Sequence, residues 1–452
     1  MTNLSGSLRH EYRELWRLGL PVLVTQAGII IVSFADTIMV GAYGTAELAA
    51  AAFVNSLFMI PVVMQIGFAS GMTPLIGALF GRRDHLEIGA TLRSGLQVNI
   101  LVSLIFTLIM GALYFALDSF GQPEELMPLI KPYYLIVLCT LLPMAVFNTC
   151  QQTSNGITDT AAPMWMILMS NVLNIVGNYA LIYGHFGAPE LGLVGAGLST
   201  AFARIAAMLG IGILFWRARR YRPYLKGIGH NPDIRGRRRW RVWVTSYPIM
   251  IQSGIECSMW SFGAIVSGWF GAVQLASYQV ANTIGQLGFM TYMSFGVALS
   301  VRVANFTGKG DLARVRLCTR AALHLNVVLA TLASAVFLLG GTHLIHVFTP
   351  DPAVTAAAML LMFPLILYQY CDAAQMTFAN ALRGTSIVKP LAWISVISYI
   401  VVGVPSLLAL ASGCDLGNIG VYYSFCIALL VASVLLYISY RRAVSRLSAR
   451  VS

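Results

Sequence analysis

Three acidic residues, Asp36, Glu256 and Asp372, lie inside stretches that are long and apolar enough to cross a membrane. A charged side chain at the centre of a bilayer costs roughly 2.5–3.5 kcal/mol on insertion scales, so such residues are rare and usually functional. The remaining Asp and Glu residues, of 17 in total, fall in predicted loops, termini or helix ends. Because carboxylates attract cations, the three positions predict a protein that handles cations inside a bilayer.

Asp36 has a plausible set of oxygen partners in the first half of the chain. Asn171, Asn174 and Asn178 recur at intervals of three and four residues, which places them on one face of a helix. Asp36 and Asn178 both lie toward the outer ends of outward-running spans, so we expect a similar depth. One carboxylate with two or three amide oxygens suits a hard cation. The alternative is hydrogen bonding between helices, which membrane asparagines commonly provide.

The second half of the chain carries two acids with polar or aromatic neighbours. Tyr368 and Asp372 are four residues apart and share a helix face, with Gln375 one turn further on. Glu256 and Trp260 have the same four-residue spacing on another predicted helix. If these helices meet, two carboxylates and a phenol form a site that binds a small cation or exchanges protons. The alternative is a pair of protonated, hydrogen-bonded acids with no role in transport.

The elements that hold these residues are predicted to be membrane helices. Hydrophobic residues make up 58% of the 452-residue chain and charged residues 10%, with a mean hydropathy of +0.75. This composition is typical of an all-α polytopic membrane protein. Twelve spans are predicted, near residues 17–40, 48–74, 94–117, 129–152, 164–184, 192–216, 245–268, 274–301, 321–342, 354–379, 391–411 and 418–440.

The distribution of basic residues predicts the orientation of these spans. Ten Lys and Arg residues lie between 217 and 241, and further clusters follow the second, eighth and twelfth spans. By the positive-inside rule, both termini are cytoplasmic. The net charge of +12 is explained by contacts with anionic lipid headgroups, so nucleic acid is not an expected partner. Arg204, alone within the sixth span, either pairs with a buried acid or faces water.

The chain contains an internal duplication. A shift of 227 residues places Gly41 over Gly268, and GRRD at 81–84 over GKGD at 308–311. Duplication after an even number of helices predicts two six-helix bundles related by a pseudo-twofold axis along the membrane normal. The predicted organisation is an N-lobe at 1–216, a basic cytoplasmic linker at 217–243 and a C-lobe at 244–452. A central cleft between the lobes and an alternating-access cycle are expected.

Several segments together resemble the multidrug and toxic compound extrusion (MATE) transporters, and within them the NorM-like branch. They are SFADTIMVG (33–41), NVLNIVGN (171–178), QSGIECSMW (252–260), LASYQVAN (275–282) and YQYCDAAQ (368–375). The resemblance covers essentially the whole chain. It implies two six-helix lobes that export organic cations in exchange for Na⁺ or H⁺.

The resemblance also implies roles for individual residues. Asp36, Asn174 and Asn178 match an N-lobe cation site. Glu256, Tyr368 and Asp372 match a C-lobe cation site, and Gln279 matches a position at the drug-contacting surface. Asn178 stands where the other prokaryotic branch typically has an acid, which favours the NorM-like branch. The substrate-binding set expected for this chain is Gln279, Asp36, Glu256, Asp372 and Trp260.

The sequence therefore predicts a monomeric antiporter of the inner membrane rather than an enzyme. We expect no cofactor and no metal beyond Na⁺ at the cation sites. The alternative is a flippase or exporter for lipid-linked or other amphipathic metabolites, which would need several cationic residues in its cleft. GKGD matches a motif of intramembrane aspartyl proteases, but it lies in a predicted basic loop, where a helix-terminating turn explains it better.

Overall fold

The computed structural model describes residues 2–229, 236–414 and 416–451, and in these residues twelve helices are long and apolar enough to cross a membrane. The predicted all-α class and the predicted count of spans are thereby confirmed. The helices are α1 (Leu8–Tyr43), α2 (Thr45–Gly81), α3 (His85–Tyr114), α4 (Glu124–Gly156), α5 (Ala161–Tyr183), α6 (Gly192–Arg217), α7 (Arg237–Trp269), α8 (Ala272–Lys309), α9 (Leu312–His346), α10 (Pro352–Gly384), α11 (Lys389–Gly413) and α12 (Gly417–Ala449).

Three of the helices depart from regular α-helical geometry. In α2 the helix breaks at Gly71, and in α4 it breaks at Thr140. A proline lies three residues after each break, and a proline ring clashes with the carbonyl four positions earlier. Helix α11 contains two π-helical segments, Val396–Gly403 and Ala409–Gly413. Such wide turns are rare and occur frequently at functional sites.

The chain divides into two compact units. The first unit contains Val24–Met250, and the second contains the described residues up to Leu23 together with those from Ile251 onward. This division differs from the predicted lobes at two places. The first part of α1 groups with the later helices, and α7 as far as Met250 groups with the earlier ones. The predicted lobes, which end at 216 and begin at 244, instead assign all of α1 to the N-lobe and all of α7 from residue 244 onward to the C-lobe.

Buried ion pairs and apolar contacts explain why these segments group as they do. In the second unit, Glu11 of α1 is 1% exposed and accepts two hydrogen bonds of 2.7 Å from Arg302 of α8. Leu15 and Leu18 pack in the same hydrophobic cluster as Phe295. The first part of α1 thus contributes both a paired charge and buried apolar area, and both favour its grouping with the later helices.

The first unit holds α7 by an equivalent kind of contact. Arg238 donates to both oxygens of Glu87 in α3, at 2.8 and 2.9 Å. The rings of Phe68 and Trp243 also pack at a centroid distance of 5.5 Å. A bidentate guanidinium–carboxylate pair fixes direction as well as distance. It therefore sets the position from which α7 starts.

The GRRD and GKGD motifs are helix-terminating turns, as predicted. Arg83 and Gly310 have φ values of 61° and 76°, so each of them reverses the chain in the left-handed region. Asp84 then accepts from the backbone N–H of Glu87, and Asp311 accepts from that of Arg314. Both aspartates are N-caps of the following helices, and this function explains the motif.

Part of the predicted basic linker, 217–243, is structured. A short helix at Arg222–Ile228 lies within it, residues 230–235 are outside the described residues, and α7 begins at Arg237. Tyr221 is fully buried, stacks on Phe215 and donates a 2.6 Å hydrogen bond to Asp159. Burial and the adjacent carboxylate both raise the pKa of the Tyr221 phenol, so it remains a donor.

Candidate cation-binding site

Glu256 lies in α7 of the second unit, where three donors converge on one of its oxygens. Its Oε1 accepts from Gln252 Nε2 at 3.0 Å, from Gln375 Nε2 at 2.8 Å and from the Tyr399 hydroxyl at 3.4 Å. These donors come from α7, α10 and α11. All the described hydrogen bonds to this carboxylate reach Oε1, so Oε2 is the oxygen left to meet another ligand.

Asp372 and Gln375 supply further oxygens beside Glu256. Asp372 is 1% exposed, and its Oδ2 has no hydrogen-bond partner among the described residues. Gln375 Oε1 is also buried without a partner, although the Nε2 of the same amide contacts Glu256. Buried polar atoms in native proteins nearly always have a partner, and an exception indicates a bound ion, water or reacting group. The arrangement therefore presents acceptor oxygens without donors, as a hard cation requires.

Tyr368 and Trp260 form an aromatic side of this cluster. Tyr368 and Asp372 are both buried and lie one turn apart on α10, as their four-residue spacing predicted, and they interact electrostatically. The rings of Trp260 and Tyr368 meet edge to face at a centroid distance of 5.3 Å, and Phe425 of α12 lies 4.5 Å from Trp260. Gln279 of α8 is exposed. The structure thus brings Glu256, Asp372, Tyr368 and Trp260 into one cluster and shows no contact between that cluster and Gln279 in the described residues.

Tyr399 reaches Glu256 from the π-helical part of α11. The segment Val396–Gly403 is π-helical and Tyr399 is 6% exposed. Pro405 follows closely, and its missing N–H together with its ring disfavours regular α-helical bonding in the preceding turn. The wider turn changes the angular position of Tyr399 relative to a regular helix. The local distortion therefore helps to direct this hydroxyl at the carboxylate.

A half-buried arginine adjoins the same cluster. Arg383, in the last turn of α10, donates from Nη2 to Gln252 Oε1 at 2.9 Å. It also interacts electrostatically with Glu256. Neither Arg383 nor Gln252 was predicted to belong to the site. Gln252 precedes Glu256 by four residues, so its position on the same helix face was the only available signal.

The first unit contains a separate polar cluster around Asp36. Asn178 donates to Asp36 Oδ1, and Asn174 in turn donates to Thr200 Oγ1 at 3.1 Å. Asn178 is fully buried, and its own Oδ1 has no partner among the described residues. The side chain of Asn171 instead lies against Gly28 of α1. Of the three predicted asparagines, Asn178 contacts Asp36, Asn174 contacts Asn178 at 3.5 Å, and Asn171 packs between helices.

Arg204 lies close to this first cluster. It donates to Thr140 Oγ1, at the break in α4, and interacts electrostatically with Asp36 and Tyr133. Arg204 thus lies near Asp36, which is half-buried, but its described hydrogen bond goes to a hydroxyl, so the predicted pairing with a buried acid is not seen among the described hydrogen bonds. Tyr133 and Thr140 are neighbours that the sequence did not indicate, because neither is ionised or in an unusual sequence context.

Comparisons with known proteins identify the family. The chain is 28% identical to proteins described as "Probable multidrug resistance protein NorM" from Xanthomonas axonopodis pv. citri and Acinetobacter baylyi. These alignments cover 98% and 96% of this chain and 96% and 97% of the relatives. A crystal structure of the eukaryotic MATE transporter AtDTX14 superposes with a TM-score of 0.86 at 18% identity, over 99% of this chain and 100% of that one.

A family model matches the chain twice, over residues 21–180 and 248–408. The two matches begin 227 residues apart, which is the spacing of the internal duplication. The model describes the MatE family, whose members are multidrug and toxic compound extrusion transporters. The resemblance of the five sequence segments is thereby confirmed, and this chain belongs to the MatE family.

Proposed function

We propose that the protein is a cation-coupled antiporter that exports organic, often cationic, drugs in exchange for Na⁺ or H⁺. The observation that supports this most directly is a pair of buried acceptors beside the Glu256 carboxylate, Asp372 Oδ2 and Gln375 Oε1, for which the described part of the chain provides no partner. A metal cation would use these oxygens as ligands, and protons would neutralise the two acids. Either event changes the charge that an organic cation meets at the same carboxylates.

Exchange follows when the coupling cation and the substrate compete for these charges. The cation favours one state of an alternating-access cycle, and the substrate favours the other. Trp260 and Tyr368 offer ring faces and edges next to the acids, a setting in which flat organic cations are bound. We assign substrate contacts to Trp260, Glu256 and Asp372 in the second unit, to Gln279 on α8 and to Asp36 in the first unit.

The proposed cellular setting is the inner membrane, with the protein acting as a monomer and with both termini in the cytoplasm. The twelve spans make it a multi-pass membrane protein. The basic residues at 217–229 and 237–241 support the cytoplasmic side for this connection, by the positive-inside rule. The relatives named multidrug resistance protein NorM support drugs as substrates.

Ethidium accumulation in everted membrane vesicles tests the proposal. Imposed Na⁺ and H⁺ gradients are applied separately to vesicles that contain the unaltered protein. At least one gradient should drive accumulation, and Glu256→Gln or Asp372→Asn should abolish it at equal expression. Glu125→Gln is the matched control, because Glu125 is an exposed acid. Accumulation under neither gradient, or full activity in both site variants, would refute the proposal.

A further inference from the structure

Arg383 is held in place at the end of α10, next to the proposed cation site. The following residue, Gly384, lies so close to α8 that a Cβ atom would be 2.8 Å from the Ser300 carbonyl oxygen and 2.7 Å from Val303 Cβ. This close approach fixes the backbone from which the arginine extends. The side chain of Arg383 turns inward and its Nε is buried without a partner among the described residues. Its one described hydrogen bond goes to Gln252.

Gln252 connects Arg383 to Glu256. Its side chain is 1% exposed, with Oε1 accepting from Arg383 at 2.9 Å and Nε2 donating to Glu256 at 3.0 Å. A guanidinium can only donate hydrogen bonds, so it requires the oxygen end of the amide. The nitrogen end must then point the other way, toward the carboxylate. Arg383 thus determines which end of Gln252 faces Glu256.

The orientation of this amide matters for the carboxylate. With Nε2 facing Glu256, Oε1 of the acid has three donors and Oε2 has none among the described residues. If the amide turned over, its oxygen would face Glu256 Oε1, and two acceptors would repel each other. The carboxylate would then lose its fixed direction. Groups that orient a ligand typically change cation affinity roughly 10–100-fold when they are removed.

Arg383 also sets the charge of the cluster. Glu256 and Asp372 carry two formal negative charges, and Arg383 carries one positive charge that interacts with Glu256. The sum is one negative charge, which a single monovalent cation balances. Without the arginine, the cluster would carry two negative charges in a largely buried position, an arrangement that costs several kcal/mol.

We infer that Arg383 is a positioning residue for the coupling cation and acts through Gln252 to hold the Glu256 carboxylate in its binding orientation. This inference rests on the proposed function. Among the described hydrogen bonds, Arg383 reaches the carboxylate only through Gln252. Its removal should therefore change how much cation is needed for transport, while a distant arginine of the same unit should have no such effect.

The test measures ethidium accumulation in everted vesicles at increasing Na⁺ or H⁺ gradients, whichever drives the unaltered protein. Gln252→Leu, which keeps the arginine and its charge, should raise the cation concentration at half-maximal rate by roughly 10–100-fold. Arg383→Gln should raise it by less, because loss of the positive charge also removes its repulsion of the cation. The double variant should show no larger shift than the stronger single variant, because both changes break the same chain of contacts. Arg383→Lys should recover part of the shift. Arg320→Gln is the matched control, since Arg320 is exposed on α9.

The outcomes separate this inference from the proposed function. If Glu256→Gln abolishes transport but both Arg383→Gln and Gln252→Leu leave the half-saturating concentration unchanged, only the inference is refuted. If the two shifts simply add in the double variant, Arg383 does not act through Gln252, and the inference is likewise refuted. If neither gradient drives the unaltered protein, the proposed function itself fails. Should Arg383→Gln not fold, Gln252→Leu alone decides, because it keeps the arginine and its charge.

Discussion

Asp372→Asn should make the protein more stable in the absence of its coupling cation. The Asp372 side chain is 1% exposed, and its Oδ2 has no partner among the described residues. The substitution keeps the shape of the side chain and removes one formal charge. A carboxylate at such a position costs roughly 2.5–3.5 kcal/mol. The nearby Glu256 carboxylate adds like-charge repulsion, which the substitution also removes. Because the amide that replaces the carboxylate is itself a buried polar group and offsets part of this, we expect a net gain of about 2–3 kcal/mol in the free energy of unfolding.

The same substitution should remove the response of stability to the cation. A ligand that binds only the folded state adds about 2.7 kcal/mol at one hundred times its dissociation constant. Thermal unfolding of the purified full-length chain in detergent measures both effects. Without Na⁺ and at the highest tolerated pH, Asp372→Asn should have the higher midpoint. Addition of Na⁺, or of acid if protons are the coupling ion, should then raise only the midpoint of the unaltered protein.

The opposite pattern would refute this reasoning. If Asp372→Asn lowered the midpoint without the cation and still responded to it, the unpartnered oxygen would not be a cation ligand. Glu125→Gln serves as the control for removal of an exposed acid. It should leave both the midpoint and its response within the error of the measurement, because exposed charges contribute little to stability.

Two further predictions concern packing within the units. Arg302→Met should lower the free energy of unfolding by about 3–5 kcal/mol, because it leaves Glu11 buried without this ion-pair partner. The double variant Arg302→Met with Glu11→Leu should recover most of this loss in the same unfolding assay. Gly384→Ala should lower the midpoint, at a cost of about 1–3 kcal/mol, because the added methyl meets the backbone of α8. Gly212→Ala is its control, since a Cβ there meets nothing within 4 Å.

The sequence was sufficient to predict the helices and the acids that they carry. Apolar length determines a membrane span, so the twelve helices were evident from hydropathy. The contact between Asp36 and Asn178 agrees with their predicted depth, and the burial of Tyr368 and Asp372 one turn apart agrees with their four-residue spacing. These predictions depended on spacing within one helix or on the position of a residue along its span, and both are properties of the local sequence.

The remaining parts of the site depend on geometry that local sequence does not encode. Tyr399 reaches Glu256 from a π-helical segment, and hydropathy does not distinguish a π-helical turn from an α-helical one. Arg383 lies beyond the predicted end of its span at 379. Arginines near helix ends usually extend toward the membrane surface. Here Gly384 brings α10 against α8, and Gln252 offers an acceptor inside the unit. Two contacts between helices therefore reverse the expected direction of the side chain.

The two polar clusters differ in charge, and this difference bears on which of them accepts the coupling cation. In the first unit, Asp36 interacts with Arg204, so one negative charge meets one positive charge already present in the chain. In the second unit, Glu256 and Asp372 share the single positive charge of Arg383. Only the second cluster has a net negative charge that an external cation would balance. Its buried acceptors without donors are oxygens of a carboxylate and an amide, the ligands that Na⁺ would use. The charge balance thus favours the second unit as the place where a coupling cation would bind, whereas a buried amide oxygen without a partner among the described residues occurs in both clusters.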